Sequence, residues 1–149
     1  MEKSNELLNI QADENAIVDI AGAIAKIIVQ SKPFVLYLNG EMGAGKTTLT
    51  RYILKSLGLP NIIPVTSPTF SYINEYEISH ATYAHMDLYR ADGNFDITDL
   101  GLSEEREFAG FFVEWPEKLN SNSFLQPTHI LHIDYANNHN SRQYTLFQS

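Results

Sequence analysis

One short motif restricts the fold of this chain more than any other feature. Residues 40 to 47 read Gly-Glu-Met-Gly-Ala-Gly-Lys-Thr and match the pattern G-x-x-x-x-G-K-[ST]. The run from Phe34 to Leu38 before it is apolar throughout, which is typical of a strand buried on both faces. Apolar residues at helical spacing follow the motif, and Gly58 offers a left-handed helix end. The sequence therefore predicts a strand, a phosphate-binding loop (the P-loop) and a helix, in that order.

The residue types of the P-loop suit the phosphates of ATP. Glycines let the backbone turn tightly, so that successive N–H groups converge on phosphate oxygens beside the positive end of the helix dipole. Lys46 is expected to reach the β- and γ-phosphates, Thr47 to offer its hydroxyl to Mg²⁺, and Thr48 to contact the α-phosphate. The predicted cofactors are ATP and Mg²⁺. The predicted cofactor-binding residues are Glu41, Met42, Gly43, Ala44, Gly45, Lys46, Thr47 and Thr48.

Two acidic residues follow β-like segments and are candidates for the metal site. Mg²⁺ prefers oxygen ligands, and a hydrolytic P-loop protein should carry an acid at the end of a strand near the loop. Asp87 follows the segment 83–86, and Glu114 follows the apolar run 111–113. The second run is the stronger signal for a strand. We predict that Thr47, Asp87 and Glu114 bind the metal, although either acid alone is also typical of an exposed strand end.

A third candidate segment is Ser67-Pro68-Thr69-Phe70, which combines two hydroxyls with a proline. Such a loop could sense the γ-phosphate as a switch segment does, and an ordinary connection is the alternative. The predicted catalytic residues are Lys46, Thr69, Asp87 and Glu114. We expect His85 to be a satisfied core or surface group rather than a base. Trp115 should be a core or rim aromatic whose fluorescence reports on the neighbouring site.

The segments on either side of the P-loop indicate one α/β domain over residues 1–149. Residues 13–30 carry apolar positions at helical spacing, with Asp13 as the N-cap. Residues 70–76 and 82–89 are β-like and flank Ser79-His80, which predicts a hairpin. The predicted fold is a three-layer P-loop NTPase-like domain with a mixed, partly parallel sheet.

The C-terminal third of the sequence is expected to complete that sheet. Asp96 and Ser103 are placed to cap one or two short helical turns before the strand at 111–113. Residues 128–135 and 142–147 alternate in polarity around Asn137-Asn138-His139-Asn140. This pattern predicts a C-terminal antiparallel hairpin.

Composition narrows the class of protein and its partners. The 149 residues include no cysteine, which excludes disulfides and cysteine zinc sites. The absence of cysteine is typical of proteins in a reducing compartment, so we expect the cytoplasm. The N-terminal residues lack the apolar core of a signal peptide, and no apolar run reaches the length of a membrane span. The net charge of -8 disfavours direct, tight binding to nucleic acid.

Four segments together resemble the TsaE (YjeE) family of bacterial P-loop ATPases. They read Leu-Asn-Gly-Glu-Met-Gly-Ala-Gly-Lys-Thr-Thr from residue 38, Ser-Pro-Thr-Phe from 67, His-Met-Asp-Leu-Tyr-Arg from 85, and Val-Glu-Trp-Pro-Glu from 113. The resemblance spans nearly the whole chain, and the order and spacing of these segments are far more specific than the P-loop alone. Glu41 and Met42 depart from the aspartate and leucine usual in the family, at positions that the P-loop pattern leaves open.

The resemblance implies a slow ATPase that supports threonylcarbamoyl modification of the adenosine beside the anticodon of tRNA. It implies two partner proteins, the transferase subunit TsaD and its paralogue TsaB, with tRNA contacted only indirectly. In the family, the P-loop threonine and the acids that match Asp87 and Glu114 surround Mg²⁺. The threonine that matches Thr69 belongs to a switch-like loop.

Other functional classes remain open from the residues alone. A small GTPase is disfavoured because the guanine-selecting Asn-Lys-x-Asp is absent. A small-molecule or nucleotide kinase normally needs several arginines around the transferred phosphate, and the four arginines here are dispersed. A non-catalytic ATP-binding regulatory module is the remaining alternative. The base of the nucleotide is expected near Gln11 to Asn15.

Overall fold

Seven strands form one mixed sheet in the computed structural model, which describes residues 5–68, 70–137 and 140–149. The strands are β1 (Glu6–Asp13), β2 (Phe34–Gly40), β3 (Ile73–Ile78), β4 (Ala81–Asp87), β5 (Gly110–Glu114), β6 (His129–Tyr135) and β7 (Ser141–Gln148). Their order across the sheet is β1-β7-β6-β2-β5-β4-β3. The pairs β4–β5, β5–β2 and β2–β6 are parallel, and the outer pairs are antiparallel. The predicted mixed sheet and C-terminal hairpin are confirmed.

Two helices cover one face of the sheet. Helix α1 spans Ile17–Ile28, and helix α2 spans Lys46–Ser56. Their apolar sides pack on every second residue of the central strands, including Leu36, Leu38 and Phe112. Each buried Leu, Ile or Phe side chain contributes about 1.5–3 kcal/mol through the area that it removes from water. This packing fixes the start of α2 against the carboxyl end of β2.

Irregular chain forms the third layer on the opposite face. The segments 88–109 and 115–125 contain 3-10 turns at Ile97–Leu100 and Pro116–Lys118. They cover the alternate side chains of the central strands, among them Val35, Met86 and Val113. Asp96 caps the first turn by accepting from Thr98 N–H, as predicted. Ser103, the other predicted cap, precedes only a hydrogen-bonded turn to Arg106.

The N-terminal region differs from the prediction. The helix was expected to begin after Asp13, but α1 begins at Ile17, and Asp13 instead caps a short 3-10 turn over Glu14–Ala16. The preceding residues form β1, which pairs with β7 at the edge of the sheet and was not predicted. No helix in the described part of the chain is long and apolar enough to cross a membrane.

Candidate functional site

The P-loop connects the end of β2 to the start of α2 in a tight turn. Gly43 and Gly45 have φ angles of 82° and 106°, in the left-handed region that favours glycine. Ala44 N–H donates to the Glu41 carbonyl at 3.0 Å and closes the turn. Helix α2 then begins, with Leu49 N–H donating to the Gly45 carbonyl at 2.9 Å. The motif therefore presents the start of an eleven-residue helix, where backbone N–H groups favour an anion.

Lys46 lies inside the site rather than in open solvent. Its Nζ donates to the Gly40 carbonyl at 2.6 Å and lies 3.8 Å from the centroid of the Trp115 ring. Burial lowers the pKa of the Lys46 ammonium, and the nearby charges of Glu114, Asp87 and, more weakly, Glu117 oppose that shift. The ammonium is thus held between a backbone carbonyl, an indole face and acidic side chains.

The two predicted acids lie side by side at the carboxyl edge of the sheet. Asp87 and Glu114 are partners in the parallel register of β4 and β5. Glu114 is buried, and its Oε2 accepts a hydrogen bond of 2.7 Å from Thr47 Oγ1. The same oxygen lies 2.6 Å from His85 Nε2. The fold therefore brings Thr47, Asp87 and Glu114 together, although 67 positions separate Thr47 from Glu114.

Asp87 is held by its own chain and by the loop that precedes β3. Its Oδ1 accepts from Tyr89 N–H at 3.0 Å, and the Ser67 hydroxyl donates to Oδ2. The proline-containing loop is thereby tethered to the acid pair through Ser67. Thr69, the residue of this loop with a predicted catalytic role, lies outside the described residues, and its role stays a prediction.

A cleft of about 300 Å³ opens above these groups. Its walls are Met42, Gly43, Gly45, Lys46, Thr47, Thr48, Asp87, Tyr89, Glu114 and Trp115. Two carboxylates and a hydroxyl are hard oxygen donors, which suit Mg²⁺. No group of three or more His, Cys, Asp or Glu residues that could hold a metal occurs within 5–68, 70–137 and 140–149. A cation here would thus need phosphate or water oxygens as well, which Mg²⁺ commonly uses.

A second cleft of about 910 Å³ lies on the other side of the P-loop. It is lined by Asp13, Glu14, Asn15, Ile17, Gly43, Ala44, Gly45, Thr48, Tyr52, Asn140, Arg142 and Tyr144. Three residues of the segment expected near the base, Asp13 to Asn15, are among them. Gly43, Gly45 and Thr48 line both clefts, so the two spaces meet along the P-loop.

Two residues that donate hydrogen bonds to P-loop carbonyls were not predicted from the sequence. Tyr135 donates its hydroxyl to the Gly43 carbonyl at 3.1 Å, and Arg142 Nε donates to the Ala44 carbonyl at 3.3 Å. The Arg142 guanidinium also lies 4.2 Å from the centroid of the Tyr135 ring. Both residues belong to the C-terminal hairpin and follow no motif, so only the pairing of β6 with β2 brings them to the loop.

The remaining predicted residues differ in their placement. Met42 is 60% exposed at the mouth of the smaller cleft, and Ala44 lines only the larger one. Glu41 is exposed and lines neither cleft, so its backbone carbonyl is its contribution to the loop. His85 is fully buried, as expected of a core histidine, but Nδ1 has no hydrogen-bond partner among the described residues, so the group is not satisfied as predicted. Its contact with Glu114 was not expected either.

Comparison with known proteins places these features in one family. The model of the family described as "Threonylcarbamoyl adenosine biosynthesis protein TsaE" matches residues 11–144. A protein of Haemophilus influenzae named "tRNA threonylcarbamoyladenosine biosynthesis protein TsaE" is 35% identical over 128 residues, which cover 83% of this chain and 78% of the relative. The protein of the same name from Aquifex aeolicus is 36% identical over 109 residues, or 73% and 76% of the two chains.

A solved structure shares the fold as well. The crystal structure of YdiB from Bacillus subtilis superposes with a TM-score of 0.61 at 27% identity, over 95% of this chain and 84% of that one. The family match extends from the end of β1 through β2, the P-loop and both acids into β7. The chain therefore belongs to the TsaE family.

Proposed function

We propose that this chain binds ATP with Mg²⁺ and hydrolyses it slowly in support of tRNA modification. The observation that carries the proposal is that Asp87 and Glu114 lie together beside Thr47, the last residue of the P-loop motif. Thr47 Oγ1 lies 2.7 Å from Glu114 Oε2, and Asp87 is the register partner of Glu114. In this assignment the phosphates occupy the 300 Å³ cleft, and the sugar and base occupy the 910 Å³ cleft.

The polar and charged groups around the P-loop have roles that their positions support. The P-loop N–H groups and the Lys46 ammonium hold the phosphate oxygens. Thr47, Asp87 and Glu114 hold Mg²⁺, which when bound offsets the charge of the phosphates and orients them. Arg142 and Tyr135 keep the P-loop carbonyls in place from the side of the larger cleft. We also propose that the isolated chain hydrolyses ATP slowly, because the family that it resembles implies this.

The biological role follows from what the relatives are called. The proteins from Haemophilus influenzae and Aquifex aeolicus are named for tRNA threonylcarbamoyladenosine biosynthesis. We propose that this chain serves the same modification, together with TsaD-like and TsaB-like proteins, in the cytoplasm. The net charge of -8 supports an indirect relation to tRNA, with the partner proteins making the contact.

Calorimetry with ATP and MgCl₂ tests the nucleotide site. Replacing Lys46 removes charge-assisted hydrogen bonds to phosphate of about 1.5–3 kcal/mol, so Lys46→Ala should weaken binding about 10- to 150-fold. Lys55 lies near the other end of the same helix, and Lys55→Ala is the matched control. Equal affinity of the Lys46→Ala variant and the control would rule out phosphate binding at the P-loop.

Reconstitution tests the role in tRNA modification. The chain is mixed with TsaD-like and TsaB-like proteins, ATP, the carbamoyl donor and tRNA, and the modified adenosine is measured. We expect modification to depend on the chain and to be lost with Lys46→Ala. Modification at the same rate without the chain would refute this role. That result would not contradict nucleotide binding at the P-loop.

A further inference from the structure

His85 is a fully buried polar residue whose position a core role alone does not explain. It lies on β4 two residues after Tyr83, which packs against the core under the helices, so the His85 side chain is on the same face of the sheet. Nε2 lies 2.6 Å from Glu114 Oε2. Nδ1 is also buried and has no hydrogen-bond partner among the described residues. A buried polar atom without a partner costs stability, so apolar packing alone does not account for a histidine at this position.

We assign the imidazole proton from the hydrogen-bond pattern. An ionised carboxylate only accepts hydrogen bonds, so the contact with Glu114 requires a proton on Nε2. A proton on Nδ1 would face no acceptor in the described part of the chain. His85 therefore donates from Nε2 to Glu114.

Two donors from different elements converge on one oxygen of Glu114. Thr47 Oγ1, at the start of α2, donates to Oε2, and His85 Nε2 donates to the same atom from β4. Both hydrogen bonds of the Glu114 side chain within the described residues fall on Oε2. The carboxylate is thus anchored through one oxygen, and its other oxygen, Oε1, remains for a ligand in the cleft that Glu114 lines.

We propose that His85 is a positioning residue that orients the Glu114 carboxylate for a divalent cation. The proposal rests on the proposed function, because it concerns the same metal site. His85 is buried and does not line either cleft, so it acts only through Glu114. Hydrogen bonds to a metal-binding carboxylate fix its orientation, and their removal typically weakens metal binding about 10- to 100-fold. A purely structural histidine would affect the stability of the fold without this selective loss.

Three variants separate the two roles. His85→Leu removes the donor and keeps an apolar side chain in the buried site, whereas His85→Gln places an amide N–H near the position of Nε2. His129 is a second buried histidine, at the start of β6 and therefore at the amino end of the parallel strands, away from the acid pair. Its Nδ1 lies 2.9 Å from Thr128 Oγ1. His129→Leu is therefore the matched control for losing a buried imidazole.

The measurement is ADP binding by calorimetry, first in EDTA and then across a range of MgCl₂ concentrations. We expect His85→Leu to bind ADP in EDTA as the wild type does and to need about 10- to 100-fold more Mg²⁺ for the same gain in affinity. His85→Gln and His129→Leu should keep the dependence of the wild type. The proposal is overturned if His85→Leu keeps that dependence, or if it weakens binding equally with and without Mg²⁺. If the wild type shows no Mg²⁺-dependent binding, the proposed function fails together with the inference.

Nuclear magnetic resonance tests the contact in the wild type, without relying on the folding of any variant. Long-range ¹H–¹⁵N correlations assign the proton to one ring nitrogen of each histidine. We expect the His85 proton on Nε2, with slow exchange against solvent. A proton on Nδ1 and an unprotonated Nε2 would overturn the proposed contact.

Discussion

Gly40 is the last residue of β2 and the first of the P-loop, and the structure leaves no room for a side chain there. A Cβ added there would lie 2.7 Å from the backbone oxygen of Ile133 and 3.2 Å from the Ala44 Cβ. Ile133 is the register partner of Gly40 in the parallel pair β2–β6. The blocking oxygen therefore belongs to a central strand that cannot turn away as a flexible side chain could.

The expected effect of Gly40→Ala follows from this contact. Forcing an extra carbon into a packed site typically destabilises a protein by about 1–3 kcal/mol. In a chain of this size each kcal/mol lowers the melting temperature by roughly 2–4 °C, which gives a decrease of about 2–12 °C. The Gly40 carbonyl also accepts from Lys46, so displacement of the strand end should weaken nucleotide binding as well.

Urea and thermal unfolding followed by circular dichroism measure the loss of stability and the decrease of the melting temperature. ATP calorimetry measures the effect on nucleotide binding. Gly22→Ala is the matched control, because the nearest atom to an added Cβ in α1 is Ser56 Oγ at 3.9 Å. That variant should be more stable than the wild type by about 0.5–1 kcal/mol, as is usual for glycine replaced by alanine within a helix. If Gly40→Ala had the stability and ATP affinity of the wild type, the described contact with β6 would be wrong.

Three further variants test the metal site, a contact of the P-loop and the packing of the core. Asp87→Asn keeps the shape of the side chain but removes its charge, so its Mg²⁺-dependent ATP affinity should fall about tenfold or more in calorimetry. Arg142→Met removes a hydrogen bond to Ala44 and one wall of the larger cleft, and fluorescence titration should show a roughly tenfold weaker affinity for ATP. Gly110→Ala would place a Cβ 2.2 Å from the Phe34 ring, so urea unfolding should show a loss of about 1–3 kcal/mol, which Phe34→Leu in the same chain partly restores.

Local signals account for the parts of the fold that the sequence predicted. The P-loop, the helix after it and the two hairpins each depend on residues close together in the chain. The hairpin predicted at 70–76 and 82–89 is present as β3 and β4, with Ser79 and His80 at positive φ in the turn. The placement of Asp87 and Glu114 at one edge followed from the general behaviour of parallel strands.

Other features depend on pairings that no local pattern encodes. Strand β1 lies at the edge of the sheet with most of its side chains exposed, so its apolar residues do not alternate as those of a half-buried strand do. Leu7 and Ile10, for example, are 40% and 38% exposed. Contacts of Tyr135 and Arg142 with the P-loop span more than ninety residues and arise only when β6 pairs with β2.

His85 illustrates the same limit within the site. Its sequence neighbours show that it precedes Asp87 by two positions on a strand, which places both side chains on one face. They do not show that β5 lies next to β4 with Glu114 opposite Asp87. The triad of Thr47, His85 and Glu114 therefore emerges only from the three-dimensional register.

We propose that Glu114 belongs to a magnesium-dependent ATPase site. Its most direct test is the rate of ATP hydrolysis, measured with and without TsaD-like and TsaB-like proteins, together with ATP affinity for the same samples. Glu77 is an exposed acid on β3, and Glu77→Ala is the matched control. We expect Glu114→Ala to lose hydrolysis while nucleotide binding is largely retained, and Glu77→Ala to behave as the wild type does. Unchanged turnover of a folded Glu114→Ala variant would contradict the assignment.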